Sequence, residues 1–245
     1  MEHQLAFTRF LNLHFGTWVT HILMALHIHP ARPSAPISNA YSMEILCFGL
    51  LVLMFVIVRS NLSVEKPGAA QHLAEIYDDF VHDQGNQIIG PGYERFVPYV
   101  ATLFLFILVC NLFGLIPGLE SPTAYAVVPL GFALPTFLYY HYYGIRTQGV
   151  FGYFKHFLGP IWWLYWLILP IEIISHLARV LSLTVRLYAN MFAGDMVTLA
   201  FFSIIPIGVP IVFLTLHLFV SLVQAVVFML LALIYLAGAV AVEEH

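Results

Sequence analysis

Between His156 and Val242 the chain places only four charged side chains, Glu172, Arg179, Arg186 and Asp195, in 87 residues. No stretch so apolar can form the wetted surface of a soluble domain. A hydrocarbon slab about 30 Å thick is crossed by about 20 apolar residues in helical form, and this segment holds several such lengths. Composition extends the point to the whole chain of 245 residues: 61% are hydrophobic and 9% charged, against roughly 25% charged in soluble domains. A cytosolic enzyme and a disordered chain are thereby excluded. Nine Lys and Arg form no basic stripe, which excludes a nucleic-acid partner. Cys47 and Cys110 lie in apolar runs, where they read as small hydrophobes and not as a disulfide framework or thiolate metal site. The fold class is all-α, a polytopic protein in membrane lipid.

Five spans are predicted, at about 43–58, 96–116, 124–143, 161–205 and 211–242. They make residues 43–245 a membrane domain, preceded by a tail, residues 1–42, that lies outside or on the membrane face. In that tail His14, His21, His27 and His29 show no helical ligand pairing, and no metal site is predicted. Between the first two spans Leu73, Ile76, Tyr77 and Phe80 recur at helical spacing opposite Glu75, Asp78, Asp79 and Asp83. This pattern predicts an amphipathic interfacial helix over about 68–83. Arg59, Lys66 and Arg95 flank one loop, and Arg146 and Lys155 another on the same side, while the opposite loops carry at most Glu120. The excess of basic residues places that side in the cytoplasm, with the N-terminus outside and the C-terminus inside.

A charge inside lipid costs at least about 2.5 kcal/mol. Glu172 and Arg179 can snorkel toward an interface, but apolar sequence extends on both sides of Arg186 and Asp195. At 100° per residue Glu172, Arg179 and Arg186 fall on one stripe, joined by His176, Ser182 and Asn190, whereas Asp195 lies about 180° from Arg186. Ala189 and Ala193 beside Arg186 allow another helix to approach closely. In the last span His217, Ser221, Gln224 and Tyr235 share a face, which fits either a water-lined path or a hydrogen-bonded helix seam. From Glu172 to Phe201 a continuous helix would run about 45 Å, so a strongly tilted hairpin with the last span is expected, turning at Pro206-Ile207-Gly208-Val209-Pro210.

The segment Arg179-Val-Leu-Ser-Leu-Thr-Val-Arg186-Leu-Tyr-Ala-Asn190-Met-Phe-Ala-Gly-Asp195 resembles the signature of subunit a of the F-type ATP synthase membrane sector, in its bacterial form. Leu73-Ala-Glu-Ile-Tyr, the run Thr102 to Gly118, and the last span with Gln224-Ala225 and the terminal Glu-Glu-His fit the same family. The resemblance covers about Met43 to the end. It implies that Arg186 is the essential arginine facing the rotor ring of c subunits. Asn190, Asp195, His217 and Gln224 would then line the half-channel open to the outside, and Glu172 the inner one, with Ser175, His176, Arg179, Ser182, Ser221 and Tyr235 as supporting polar groups. The chain departs from the family in having Asp195 for the usual Glu, Val180 for a common Pro, and Tyr125, Val127 and Val128 where polar residues are usual.

The resemblance further implies a stator subunit of the cell inner membrane, partnered by the c ring, the peripheral-stalk b subunits and the rest of the complex. It would couple proton flow to rotation and ATP synthesis while being no enzyme alone, and it would hold no cofactor. An ion-coupled secondary transporter or channel would also place lone charges in spans, but the chain shows no internal repeat. A haem or di-iron enzyme is disfavoured because no HxxH, HxxxH or HxxHH box is present.

Overall fold

A computed structural model describes residues 5–27, 35–63, 67–116, 118–158, 165–204 and 208–240. Outside them lie Lys66, Pro117, the Pro206-Ile207 part of the turn and the Glu243-Glu244-His245 terminus; the side chain of Lys155 is likewise not described. Seven α-helices account for nearly all of the described chain: α1 (Ala6–Ala25), α2 (Asn39–Ser60), α3 (Ala69–Ile89), α4 (Val97–Phe113), α5 (Val127–Leu158), α6 (Tyr165–Ile204) and α7 (Val209–Val240). Single 3-10 turns stand at Tyr93–Arg95 and Pro122–Ala124, and no strand occurs among the described residues. By length and hydropathy α2, α6 and α7 can each cross a membrane, and α4 is a shorter apolar helix of 17 residues. At 1.5 Å per residue, the 40 residues of α6 run about 60 Å and the 32 of α7 about 48 Å.

The core forms around α7, which packs against α3, α4, α5 and α6. Ala225, Phe228, Met229, Ala232, Leu233 and Leu236 turn inward from α7 and meet Val100, Leu103, Phe104 and Ile107 of α4 and Leu183, Leu187 and Met191 of α6. Small residues at 225 and 232 let neighbouring backbones approach, the usual basis of helix packing in lipid. From Ile45 to Val58 helix α2 is apolar all round, with Phe48, Leu53, Phe55 and Val56 more than 40% exposed, as suits a helix with lipid on most sides. It meets α4 through Met43, Cys47, Cys110 and Phe113. Both cysteines are free and buried, as their apolar surroundings suggest.

Three elements differ from the sequence-based expectation. The N-terminal tail contains α1, a 20-residue helix held to the chain before α2. The Asn12 amide donates to and accepts from the backbone of Ile37, and Thr8 is bonded to Ser42. Helix α3 continues past Asp83 to Ile89, with Gly85 so close to the Tyr93 ring that a Cβ there would come within 2.7 Å of it; it stops at Gly90, whose φ of 78° favours glycine. Its apolar stripe is divided: Tyr77 and Phe80 pack on Phe104, while Leu73 and Ile76 remain exposed. Helix α5 runs through Gly144-Ile145-Arg146, where the sequence reads as a stop, and bends instead at Gly149, whose φ is 75°. Beyond the bend the chain returns, so that Tyr153 lies against Gly144 and its hydroxyl meets His141 Nδ1 at 2.6 Å.

A Cβ at position 144 would come within 2.5 Å of the Tyr153 ring. Gly144→Ala therefore displaces Tyr153 and costs about 1–3 kcal/mol of stability, the usual price of overpacking. Thermal unfolding in detergent checks this, with Gly152→Ala as the neutral control, since no atom there is nearer than 3.7 Å.

Candidate functional site: a lone arginine between two polar clusters

Helices α6 and α7 pair antiparallel, as the contacts of Arg179 with Tyr235, Asn190 with Gln224, Gly194 with His217 and Phe201 with Phe213 define. Near the middle of α6, Arg186 points away from the pair and is exposed. Its Nη2 donates to Ser182 Oγ one turn earlier at 3.2 Å, and no carboxylate pairs with it among the described residues. Ala189 and Ala193 continue the same exposed face, leaving the guanidinium in a shallow, small-residue surface. A cation with no carboxylate partner among the described residues is open to an anion that approaches from outside the chain.

At one end of the pair a polar cluster joins α5, α6 and α7. Glu172 Oε1 lies 3.2 Å from His176 Nε2, and His176 Nδ1 shares a 2.8 Å hydrogen bond with the Tyr140 hydroxyl. The His141 ring sits 4.9 Å from that of His176 and carries Tyr153. Arg179 lies over Tyr235 at 5.2 Å. The predicted stripe is thus present in sequence phase but divided in environment: Glu172, His176 and Arg179 turn to this cluster, whereas Arg186 and Ser182 face outward. Ser175, half-buried beside His176, makes no hydrogen bond among the described residues.

At the other end Asp195 faces α7 and the chain after α4. Its Oδ1 lies 3.7 Å from His217 Nδ1. The approach depends on two glycines. A Cβ at 194 would come within 2.7 Å of His217, and one at 114 within 3.0 Å of Asp195. Asn190 donates to Gln224 Oε1 at 3.0 Å, nearer the arginine. Ser221 is buried, its hydroxyl toward Met191 Sδ at 3.9 Å and its carbonyl accepting from Asn111.

Sequence reasoning missed several members of both clusters. Thr123 donates to Asn111 Oδ1 at 2.7 Å and is bonded to Ser121. Tyr125 donates to Glu120 Oε2 at 2.6 Å, and Asn39 donates to the same carboxylate at 3.3 Å. Tyr125 thereby returns a polar group to a loop that departs from the family pattern. Two signals were available: Asn111 is an amide inside a run without charge, and Glu120 is the sole charge in its loop. Tyr140, His141 and Tyr153 at the opposite end had none stronger than being polar within an apolar segment.

Two cavities meet this second cluster. One of about 580 Å³ is lined by Glu120, Ser121, Asp195 and Thr198, with apolar walls that include Phe192 and Leu199. The other, about 280 Å³ between α6 and α7, is lined by Asn190, Gly194, Thr198 and His217. The arrangement can pass a mobile ion or proton among carboxylate, imidazole and amide groups. Along the α6 axis, Glu172 lies about 21 Å from Arg186 on one side, and Asp195 about 13 Å on the other.

The family model described as ATP synthase A chain matches residues 41–237. The chain is 56% identical over 241 residues to a protein named ATP synthase subunit a from Koribacter versatilis (strain Ellin345), covering 98% of each chain. It is 44% identical over 215 residues to a protein of the same name from Solibacter usitatus (strain Ellin6076), covering 88% of this chain and 92% of the relative. With ATP synthase subunit a 1 of Syntrophotalea carbinolica (strain DSM 2380 / NBRC 103641 / GraBd1) it shares 40% identity over 250 residues and the full length of both.

The Asn190–Gln224 bond is one of the polar ties between α6 and α7, and such interhelical bonds contribute about 0.6 kcal/mol on average in lipid. A double-mutant cycle of Asn190→Ala and Gln224→Ala, read by unfolding in mixed micelles, is expected to return a coupling energy of about that size.

Proposed function

The chain belongs to the ATP synthase A chain family, and on that premise we propose that it is the proton-translocating stator subunit of the membrane sector of an ATP synthase, with Arg186 facing a ring of c subunits. The single observation that carries this reading is the placement of Arg186: exposed, without a counter-ion among the described residues, and between two polar clusters that lie toward opposite ends of the α6–α7 pair.

Five helices, α2 and α4 to α7, cross the cell inner membrane, with residues 1–42 outside or at the interface. The two ends of the bundle differ in charge: one has Arg59 at the close of α2, Arg95 just before α4 and Arg146 just before the bend of α5, the other Glu120 in the loop after α4. By the positive-inside rule the first is the cytoplasmic end. Because α6 is roughly twice as long as the slab is thick, it and α7 tilt, and a tilted pair can follow the curved wall of a ring. The remaining partners are the peripheral-stalk b subunits and the rest of the complex.

Each ring subunit carries one carboxylate that must be neutral while it faces lipid, since an isolated anion there is costly. A guanidinium is a fixed cation, so a carboxylate arriving beside Arg186 is favoured as the anion. The released proton leaves through Glu172 and His176 toward the cytoplasm. After the ring advances, the carboxylate is reprotonated from the outside through Asp195, His217, Asn190 and Gln224. The shortened carboxylate of Asp195 still comes within 3.7 Å of His217 because Gly194 lets the imidazole approach. Arg186 also repels a proton moving straight from one path to the other. Protons then cross only by riding the ring, and each delivers about 2.3 kcal/mol per 100 mV of membrane potential.

In membrane vesicles carrying the whole complex, Arg186→Ala is expected to abolish ATP-driven proton pumping and to open a passive leak; retained pumping would refute the assignment. Asp195→Asn is expected to slow proton uptake from the outside by about tenfold or more, the loss typical of a displaced proton-transfer group, with the complex still assembled. Flux at the wild-type rate would reduce Asp195 to a structural charge.

A further inference from the structure

Two buried side-chain atoms have no hydrogen-bond partner among the described residues, Thr198 Oγ1 and His217 Nε2. Thr198 is 8% exposed and His217 4%. A buried polar atom left unpaired is rare and calls for a specific partner. Helical threonines ordinarily satisfy their hydroxyl on the carbonyl four residues back. Thr20, Thr102, Thr136, Thr184 and Thr215 all do so in this chain. Thr198 does not.

Both unpaired residues line the 280 Å³ cavity between α6 and α7, and Thr198 also lines the 580 Å³ cavity that holds Asp195 and Glu120. It stands one turn beyond Asp195 on the same helix, at the wall that the two cavities share. With polar groups on its lining, and each water occupying about 30 Å³, the smaller cavity has room for several water molecules. We propose that Thr198 is a proton-relay residue of this chain: its hydroxyl holds ordered water in the smaller cavity, and that water links the Asp195 side to His217 Nε2 and on to Asn190. Within such a chain a hydroxyl accepts one hydrogen bond while donating another, so a proton passes through it without a net charge on the threonine. The 3.7 Å separation of Asp195 Oδ1 from His217 Nδ1 is too long for a direct hydrogen bond, so water at Nε2 gives the ring its hydrogen-bonded link to the cavity.

This inference rests on the outside path proposed above, so the experiment separates the two. In vesicles carrying the whole complex, ATP-driven proton pumping is measured for Thr198→Val, Thr198→Cys, Thr198→Ser and Asp195→Asn, each normalised to the assembled complex. Valine and cysteine keep the volume but remove the hydroxyl; serine keeps it. Thr198→Val and Thr198→Cys are expected to slow pumping roughly twofold to tenfold, the rate equivalent of one net hydrogen bond, and Thr198→Ser to restore it. Should Thr198→Val fail to assemble, Thr198→Cys carries the same comparison. Wild-type pumping in the hydroxyl-free variants, or a serine variant as slow as they are, overturns the role of Thr198 while a slowed Asp195→Asn leaves the outside path standing. If Asp195→Asn also pumps at the wild-type rate, the outside path itself fails.

Discussion

How near α6 can come to α7 is decided at Gly194. A single methyl there would meet the His217 ring at 2.7 Å, so the absence of a side chain sets the spacing of the whole antiparallel pair. At that spacing Asn190 reaches Gln224, Asp195 comes opposite His217, and Leu183, Leu187 and Met191 interlock with the inner face of α7. In lipid no hydrophobic effect pulls two helices together, so close van der Waals contact and interhelical hydrogen bonds must do it. The polar groups and the packing therefore depend on one another, and both depend on the same glycine.

The two polar clusters differ in construction. The one around His176 is aromatic and compact, built from Tyr140, His141, Tyr153 and Tyr235 on two neighbouring helices, and it is closed by the bend in α5. The one around Asp195 draws on α2, α4, the loop after it, α6 and α7, and it borders open space. A compact phenol and imidazole network suits transfer along fixed hydrogen bonds. A cluster bordering cavities suits exchange with water.

The existence and order of the apolar helices were legible in the sequence because length and lack of charge dictate them. Boundaries were less so. Gly144-Ile145-Arg146 has every mark of a helix end, yet the ring of Tyr153 needs the glycine for contact and the helix goes on to Gly149. In α6 the helical phase correctly put Arg186 and Asp195 on opposite sides. It could not tell that Arg179, one heptad before Arg186, would fold under Tyr235, because phase gives direction and not neighbours. At Glu120 the lone charge was legible but its partner was not: Asn39 reaches it from 81 residues away through tertiary packing alone.

Cys47 and Cys110 are held together in the seam between α2 and α4, sealed from lipid and away from both cavities. Thiol-directed labels in the surrounding medium thus find no native target, and the natural chain is already a silent background for reporter chemistry. Single cysteines placed along the outward face of α6 could be mapped one by one without first stripping the protein of its own sulfhydryls.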